Sequence, residues 1–467
     1  MKLLLLFLQK TRKTSNNNVD ILNNSCILDS TPNRKVDHTM LLQFSVENFK
    51  SIKQKAILSL EASSDQMHEN NYAVVGKDKC LRMVSVYGAN AAGKSNLLQA
   101  LTAAILAVRL SNDRQVGAPI HQIMPFLFDP TTATAPTSFE FIFIADGRKY
   151  VYGFSATSSV VETEYLYVYK TAKATTVFER DIHTDPEYRF TSPSLRKQLL
   201  PITKRNTPNK LFLATATAWN CEETRTPLLW LSQCINTYSS DYESLLQITG
   251  EMFESDTDQS LRSFTNKLLQ EADVNISDYQ FESSNYAKED FMRDIGVPPA
   301  VRETFSMLPN VLKRYDIKTL HRIQNDQGEN VFSLPLPLES RGTQNIFLLS
   351  PILKRAFETG ETICVDEFDS SLHPMLVSYL VGLFHNPSVN RNNAQLIITT
   401  HDVTLLSLKE LRRDQIYFVE KDQSTGASEL YSLDEFSPRN NEDIRKAYML
   451  GRYGSVPNVG DGDLLWQ

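Results

Sequence analysis

The chain has 467 residues, of which 41% are hydrophobic, and a formal net charge of −7. This composition supports a sizeable buried core over two or three lobes; it excludes a disordered chain and a sequence-wide basic field that would hold a nucleic-acid backbone by counterion release. Five widely spaced cysteines (Cys26, Cys80, Cys221, Cys234 and Cys364), an odd total with no CxxC pair, read as reduced intracellular thiols.

Met1 to Leu8 carries an apolar run that Gln9, Lys10, Arg12 and Lys13 interrupt. It is shorter than the roughly 7 to 15 apolar residues of a signal peptide, and no later stretch approaches the roughly 20 of a spanning helix. A cytoplasmic protein with no membrane partner is expected. Residues 1–39, with Asn16, Asn17, Asn18, Asn23 and Asn24 and no sustained apolar period, are expected to be a disordered tail. An upstream start codon is the plainer explanation of this tail, because a compact domain begins afresh at Met40.

From Met40, Leu42, Phe44 and Val46 alternate with polar residues, and Ile57 and Leu58 resume after a turn at Phe49-Lys50-Ser51-Ile52. Val84 to Tyr87 reads as a short buried strand, followed by a glycine loop and a helix from Lys94 to about Leu110. Alternation through Phe139, Phe141, Phe143, Tyr150, Tyr152, Phe154, Tyr165, Tyr167 and Tyr169 predicts antiparallel strands beside that lobe. Residues 40–184 are thus the first part of a core and 185–330 a mostly helical insertion. Residues 331–467 return to the core, with buried parallel strands over Thr362 to Val365 and Gln395 to Thr400.

Three short segments carry chemistry. Gly88-Ala89-Asn90-Ala91-Ala92-Gly93-Lys94-Ser95 fits G-x-x-x-x-G-K-[ST] between a predicted strand and a predicted helix. Such glycines let backbone N–H groups converge on phosphate at a helix N-terminus. Lys94 would reach the β- and γ-phosphates of ATP, and the Ser95 hydroxyl would ligate Mg²⁺. Ile363-Cys364-Val365-Asp366-Glu367 delivers two carboxylates at a strand's C-terminal end. Asp366 would hold Mg²⁺ and Glu367 would act as general base on the attacking water. His401 closes the strand Leu396 to Thr400, where it would sense the γ-phosphate. Each segment also has an ordinary structural reading as a polar turn or a lone histidine; their order along the chain favours function.

Together these residues resemble the ABC-type P-loop ATPase superfamily, and within it the soluble branch of RecF, the SMC proteins and the OLD-like proteins. The resemblance covers about 40–170 and 330–435. Glu47-Asn48-Phe49-Lys50-Ser51-Ile52 looks like the branch's opening segment, and Gly93-Lys94-Ser95-Asn96-Leu97-Leu98 matches its GKSNLL run. The resemblance implies an α/β fold: an ABC-type core of mixed sheet plus antiparallel β lobe, with a mostly helical insertion. Gly88, Asn90, Gly93, Lys94, Ser95 and Asn96 would bind nucleotide. Ser340-Arg341-Gly342-Thr343-Gln344 looks like the signature loop, whose Ser340 and Gly342 would cap nucleotide held by a facing subunit, making a homodimer or higher homo-oligomer with composite ATP sites. Its arginine departs from the common LSGGQ. Ser370 to Pro374 resembles the D-loop, and Gln122 is a candidate Q-loop residue.

The segments ESRGTQ, VDEFDSSLHP and TTHD, the run Arg412 to Lys421 and the closing Gly451-Arg452-Tyr453-Gly454 look like a bacterial subfamily of abortive-infection and phage-defence ATPases, the RloA-like proteins and the AriA component of PARIS systems. That implies a sensor or scaffold controlling a separately encoded effector, a nuclease or toxin. Three other readings compete. A self-contained OLD-type nuclease is disfavoured because only 66 residues follow His401. A transporter subunit is disfavoured by the large insertion and the NFKSI opening. A RecF- or SMC-like DNA-binding ATPase would use Arg196, Lys197, Lys204, Arg205 and Lys210 as a local phosphate-binding patch, although the net charge does not indicate nucleic acid.

Overall fold

The computed structural model describes residues 39–294, 311–326 and 328–457. All of the tail expected over 1–39 except Thr39 lies outside them; the Thr39 side chain is buried and donates to Gly360 O. The chain divides into two compact units: Lys35–Tyr238 with Arg355–Gln467, and Ser239–Lys354.

The first unit holds two large sheets. In chain order its strands begin with β1 (Met40–Glu47), β2 (Ala56–Ser59), the small hairpin β3 (Tyr72–Val75) and β4 (Asp78–Leu81), and β5 (Met83–Tyr87). Then come β6 (Thr137–Ala145), β7 (Arg148–Ala156), β8 (Val161–Tyr169), β9 (Ala174–Asp181), β10 (Tyr188–Arg189) and β11 (Ile235–Ser239). An antiparallel sheet runs β10-β9-β8-β7-β6-β1-β2. Its aromatic alternation turns one face inward, where Phe44 meets Phe141 at 5.0 Å and Phe139 meets Phe154 at 5.2 Å between ring centroids.

The second unit holds an antiparallel sheet of β12 (Asp278–Ala287), β13 (Val311–Asn325) and β14 (Gly328–Pro335) in that order. Phe253 from the helix Tyr242–Glu254 packs with Tyr279, Phe281 and Phe347 over it. The chain re-enters the first unit within the helix Arg341–Thr359 and continues as β15 (Thr362–Asp366), β16 (Gln395–Thr399), β17 (Ile416–Lys421) and β18 (Ser428–Ser432). These complete a mixed sheet of order β11-β15-β16-β5-β17-β18, in which β15, β16, β5 and β17 pair in parallel and β18 is antiparallel. β5 is buried along its whole length, as a central strand requires. The architecture is therefore the mixed α/β core with an antiparallel lobe that the sequence implies.

The insertion departs from expectation in extent and content. Instead of 185–330 it is Ser239–Lys354, and it carries three strands beside its helices. The helices Pro193–Thr203, Phe212–Ala218 and Glu222–Leu229 belong to the first unit. Phe212 packs on Phe178 at 5.0 Å, and Trp230 stacks on Phe143 at 4.0 Å, so this helical stretch covers the antiparallel sheet. Strands β12 to β14 escape a periodicity reading because few of their residues are buried, Tyr279, Tyr315, Ile317 and Thr319 alone, so no sustained apolar alternation marks them. Among the described residues, no helix is long and apolar enough to cross a membrane.

Candidate functional site

The parallel strands place three termini side by side. Thr399 at the end of β16 lies opposite Val86 of β5, and Ile398 opposite Val365 of β15. The loop after β5, the carboxylates after β15 and the histidine after β16 thus share the C-terminal edge where open α/β sheets present ligands.

The loop Gly88–Gly93 connects β5 to the helix Lys94–Arg109. Gly93 is the helix N-cap at φ +118°, with no side-chain cap on the first turn. A Cβ there would stand 2.4 Å from Ser428 Oγ and 2.9 Å from Ser51 Oγ, so only glycine fits. Gly88 likewise faces Val419 O of β17, 2.4 Å from where a Cβ would be. The loop is tied from below: Ser428 Oγ donates to Ala92 O over 2.5 Å, and Asn96 Nδ2 donates to Ser51 Oγ over 2.7 Å. Lys94 is buried and its ammonium donates to Gly88 O (2.9 Å) and Ala89 O (3.2 Å). Burial lowers its pKa, and the charges of Asp366, Glu367 and Asp369 oppose that shift.

Ser95 Oγ donates to Asp366 Oδ1 over 3.2 Å, and Thr399 Oγ1 donates to the same oxygen over 2.5 Å. The Glu367 N–H in turn donates to Thr399 Oγ1 over 2.8 Å. Glu367 is exposed and sits at φ +51°, a left-handed conformation uncommon outside glycine. Its carbonyl accepts from Ser370 N at 2.8 Å. The exposed His401 donates its backbone N–H to Asp369, 3.2 and 3.3 Å from the two carboxylate oxygens.

Other predicted residues have distinct settings. Asn90 is exposed at the loop's tip. Ser340 is exposed and accepts from Thr343 N at 3.1 Å at the start of the helix Arg341–Thr359, whose second residue is Gly342. Both belong to the unit Ser239–Lys354. In the D-loop segment, Ser371 has φ +62°, and His373 Nδ1 accepts from Met375 N to cap the next helix. Gln122 is buried with its carboxamide oxygen 3.4 Å from Arg114 Nη2. Of the basic residues, Arg205 lies 3.9 Å over the Trp219 ring and Lys210 donates to Asn112 O, while Arg196, Lys197 and Lys204 are exposed.

A family model described as "AAA domain, putative AbiEii toxin, Type IV TA system" matches residues 83–217 and 240–407, more than half of the chain. The chain belongs to this family of AAA-domain P-loop ATPases. No curated protein matches it. Solved structures similar to it include the SMC head domain from Thermotoga maritima, at 11% identity and a TM-score of 0.37, covering 84% of this chain and 98% of that one. Another is the recombination mediator RecF of the RecFOR pathway, at 15% and 0.34, covering 85% and 100%. A third is cbiO1 from Clostridium perfringens, part of an ABC transporter complex, at 11% and 0.30, covering 88% and 96%.

The donor set of this AAA-domain ATPase fits ATP and Mg²⁺. An uncapped helix N-terminus and an ammonium suit phosphate, while one hydroxyl and one carboxylate, already 3.2 Å apart, suit a hard cation that takes its remaining ligands from water and phosphate. Among the described residues, no group of three or more His, Cys, Asp or Glu side chains forms a separate metal cage. Three residues of the site have no role assigned by the sequence: Thr399 and Asp369, although they lie in the TTHD and VDEFDSSLHP segments, and Ser428. Thr399 falls inside an apolar strand and Ser428 in an unremarkable hairpin; position two residues before His401 is the one hint for Thr399.

Proposed function

We propose that this AAA-domain protein binds ATP with Mg²⁺ and hydrolyses it, and that it serves as the sensor or scaffold of a bacterial anti-phage system controlling a separately encoded effector. The observation that carries the first part is the convergence of Ser95, Asp366 and Glu367 beneath the Gly93–Lys94 helix start. Lys94 would exchange its contacts with Gly88 O and Ala89 O for phosphate oxygens. Ser95 and Asp366 would hold Mg²⁺, which when bound neutralises charge on the phosphates. Glu367 would take a proton from the attacking water, His401 would orient that water against the γ-phosphate, and Gly88, Asn90 and Asn96 would line the phosphate cradle.

Ser340 and Gly342, at the solvent-facing start of the helix Arg341–Thr359, would complete a site on a second copy, giving a homodimer or larger ring with composite ATP sites. The family's description, which names a toxin of a toxin–antitoxin system, supports the defence reading. The RloA-like or AriA-like resemblance refines it to control of a nuclease or toxin. Light scattering of Glu367→Gln with and without ATP tests assembly: an ATP-dependent dimer supports it, and a monomer under both conditions rejects it. Co-expression with the product of the adjacent gene tests the effector.

A second reading, a RecF- or SMC-like DNA-binding ATPase, is favoured by the exposed Arg196, Lys197 and Lys204 on and after one helix. A gel shift with duplex DNA that weakens as salt rises would support it, and absence of binding at low salt would reject it.

A further inference from the structure

Thr399 contributes one hydroxyl to two groups of different function. Its O–H donates to Asp366 Oδ1 at 2.5 Å, and its oxygen accepts the Glu367 N–H at 2.8 Å. The side chain is fully buried at the last position of β16, one strand from β5, and its backbone carbonyl accepts from Phe368 N at 3.1 Å. The polypeptide therefore grips 366–368 at three successive residues through a single threonine. One contact fixes the carboxylate that Ser95 also reaches. Another holds the peptide N–H of Glu367, a non-glycine residue at φ +51°, a left-handed backbone that persists only where its surroundings hold it.

We propose that Thr399 is the positioning residue of the hydrolytic site: its hydroxyl sets the carboxylate of Asp366 toward the cation and aims Glu367 at the water. This rests on the reading of the site as an Mg²⁺-dependent ATPase. A serine at 399 keeps both contacts; a valine keeps the volume and loses them. The strand alone would need only a β-branched apolar residue, as Ile397 and Ile398 beside it show.

The test compares wild type, Thr399→Val and Thr399→Ser in the full chain, with steady-state ATP turnover and, separately, affinity for AMP-PNP measured in EDTA and in MgCl₂. Loss of a charge-assisted hydrogen bond predicts that Thr399→Val lowers kcat by about ten- to a hundredfold. The tightening of AMP-PNP binding by MgCl₂ should shrink by about tenfold, while affinity in EDTA stays at the wild-type value. Thr399→Ser should restore kcat and the magnesium response. Should Thr399→Val not fold, Thr399→Cys, with its weak thiol donor, takes its place with the same expectation. A Thr399→Val enzyme with wild-type kcat and magnesium response overturns the proposal, as does a Thr399→Ser enzyme as defective as the valine variant. A wild-type chain that binds no AMP-PNP under either condition instead overturns the ATPase reading itself.

Discussion

The hydroxyl of Ser95 donates to Oδ1 of Asp366 across 3.2 Å, joining the residue after Lys94 to the end of a strand from the other half of the chain. If these two groups share a cation, Asp366→Asn should abolish the gain in ATP affinity that Mg²⁺ gives and leave metal-free binding nearly intact. Lys94→Ala should weaken binding by about ten- to a hundredfold with or without Mg²⁺, as expected for losing a charge-assisted contact to phosphate. Calorimetric titrations with ATP in EDTA and in MgCl₂ separate the two.

Gly93→Ala tests the loop's packing. The added methyl would enter the space of Ser428 Oγ and Ser51 Oγ at a φ of +118°, a conformation alanine avoids. Strain of about 1–3 kcal/mol is expected, with a lowered thermal midpoint and loss of ATP binding together. Wild-type melting and binding would show that the loop does not need glycine here.

A second ionic cluster braces the far ends of the same elements. Arg355 donates to Glu361 at 2.9 and 3.1 Å, Tyr238 donates to Glu361 at 3.2 Å, and Arg109, at the end of the Lys94–Arg109 helix, donates to Ile235 O and Asn236. Burial pulls the Arg355 pKa down, but the Glu361 carboxylate more than offsets it and the net shift is upward. Glu361→Leu should cost about 1–3 kcal/mol in urea unfolding because it leaves the partly buried Arg355 guanidinium without its carboxylate, and Arg355→Met/Glu361→Leu should recover part of that loss.

The pH dependence of stability should carry the signature of Glu164. This fully buried carboxyl accepts from Phe212 N at 2.5 Å, Leu213 N at 2.9 Å and the Tyr152 hydroxyl at 3.1 Å, yet burial pushes its pKa from 4.5 up to about 7. A raised carboxyl pKa favours the protonated folded state, so its contribution is full below pH 4.5 and is lost as pH rises through 7, amounting to about 3 kcal/mol. His385, whose burial lowers its pKa to about 3, acts in the opposite direction, its contribution being lost as pH falls from 6.5 toward 3. The difference between wild type and Glu164→Gln isolates the first effect: the variant should lack the loss of stability between pH 4.5 and 7, and parallel curves would contradict it.

The sequence carried the core because local pattern and motif agreed there: β5 is apolar but for Ser85, the loop after it has the glycine spacing, and the carboxylates follow a second apolar strand. What escaped was set by long-range contact. Thr399, Ser51 and Ser428 owe their place to partners dozens to hundreds of residues away, which no window contains. The helical stretch 193–229 reads as insertion by composition, yet Trp230 and Phe212 anchor it to the antiparallel sheet. The run Arg412 to Lys421, prominent in the family resemblance, proves architectural: buried Arg412 pairs with Asp414 at 2.8 Å and donates to the carbonyls of Ser63, Asp65 and Met67.

The central claim is that Glu367 activates water at a site built by Lys94, Ser95 and Asp366. Phosphate release from Mg²⁺-ATP by wild type and Glu367→Gln, with ATP affinity measured alongside, tests it most directly. Removal of a general base should lower turnover by about a hundredfold or more while ATP affinity holds. A Glu367→Gln protein that releases phosphate at the wild-type rate would contradict the claim.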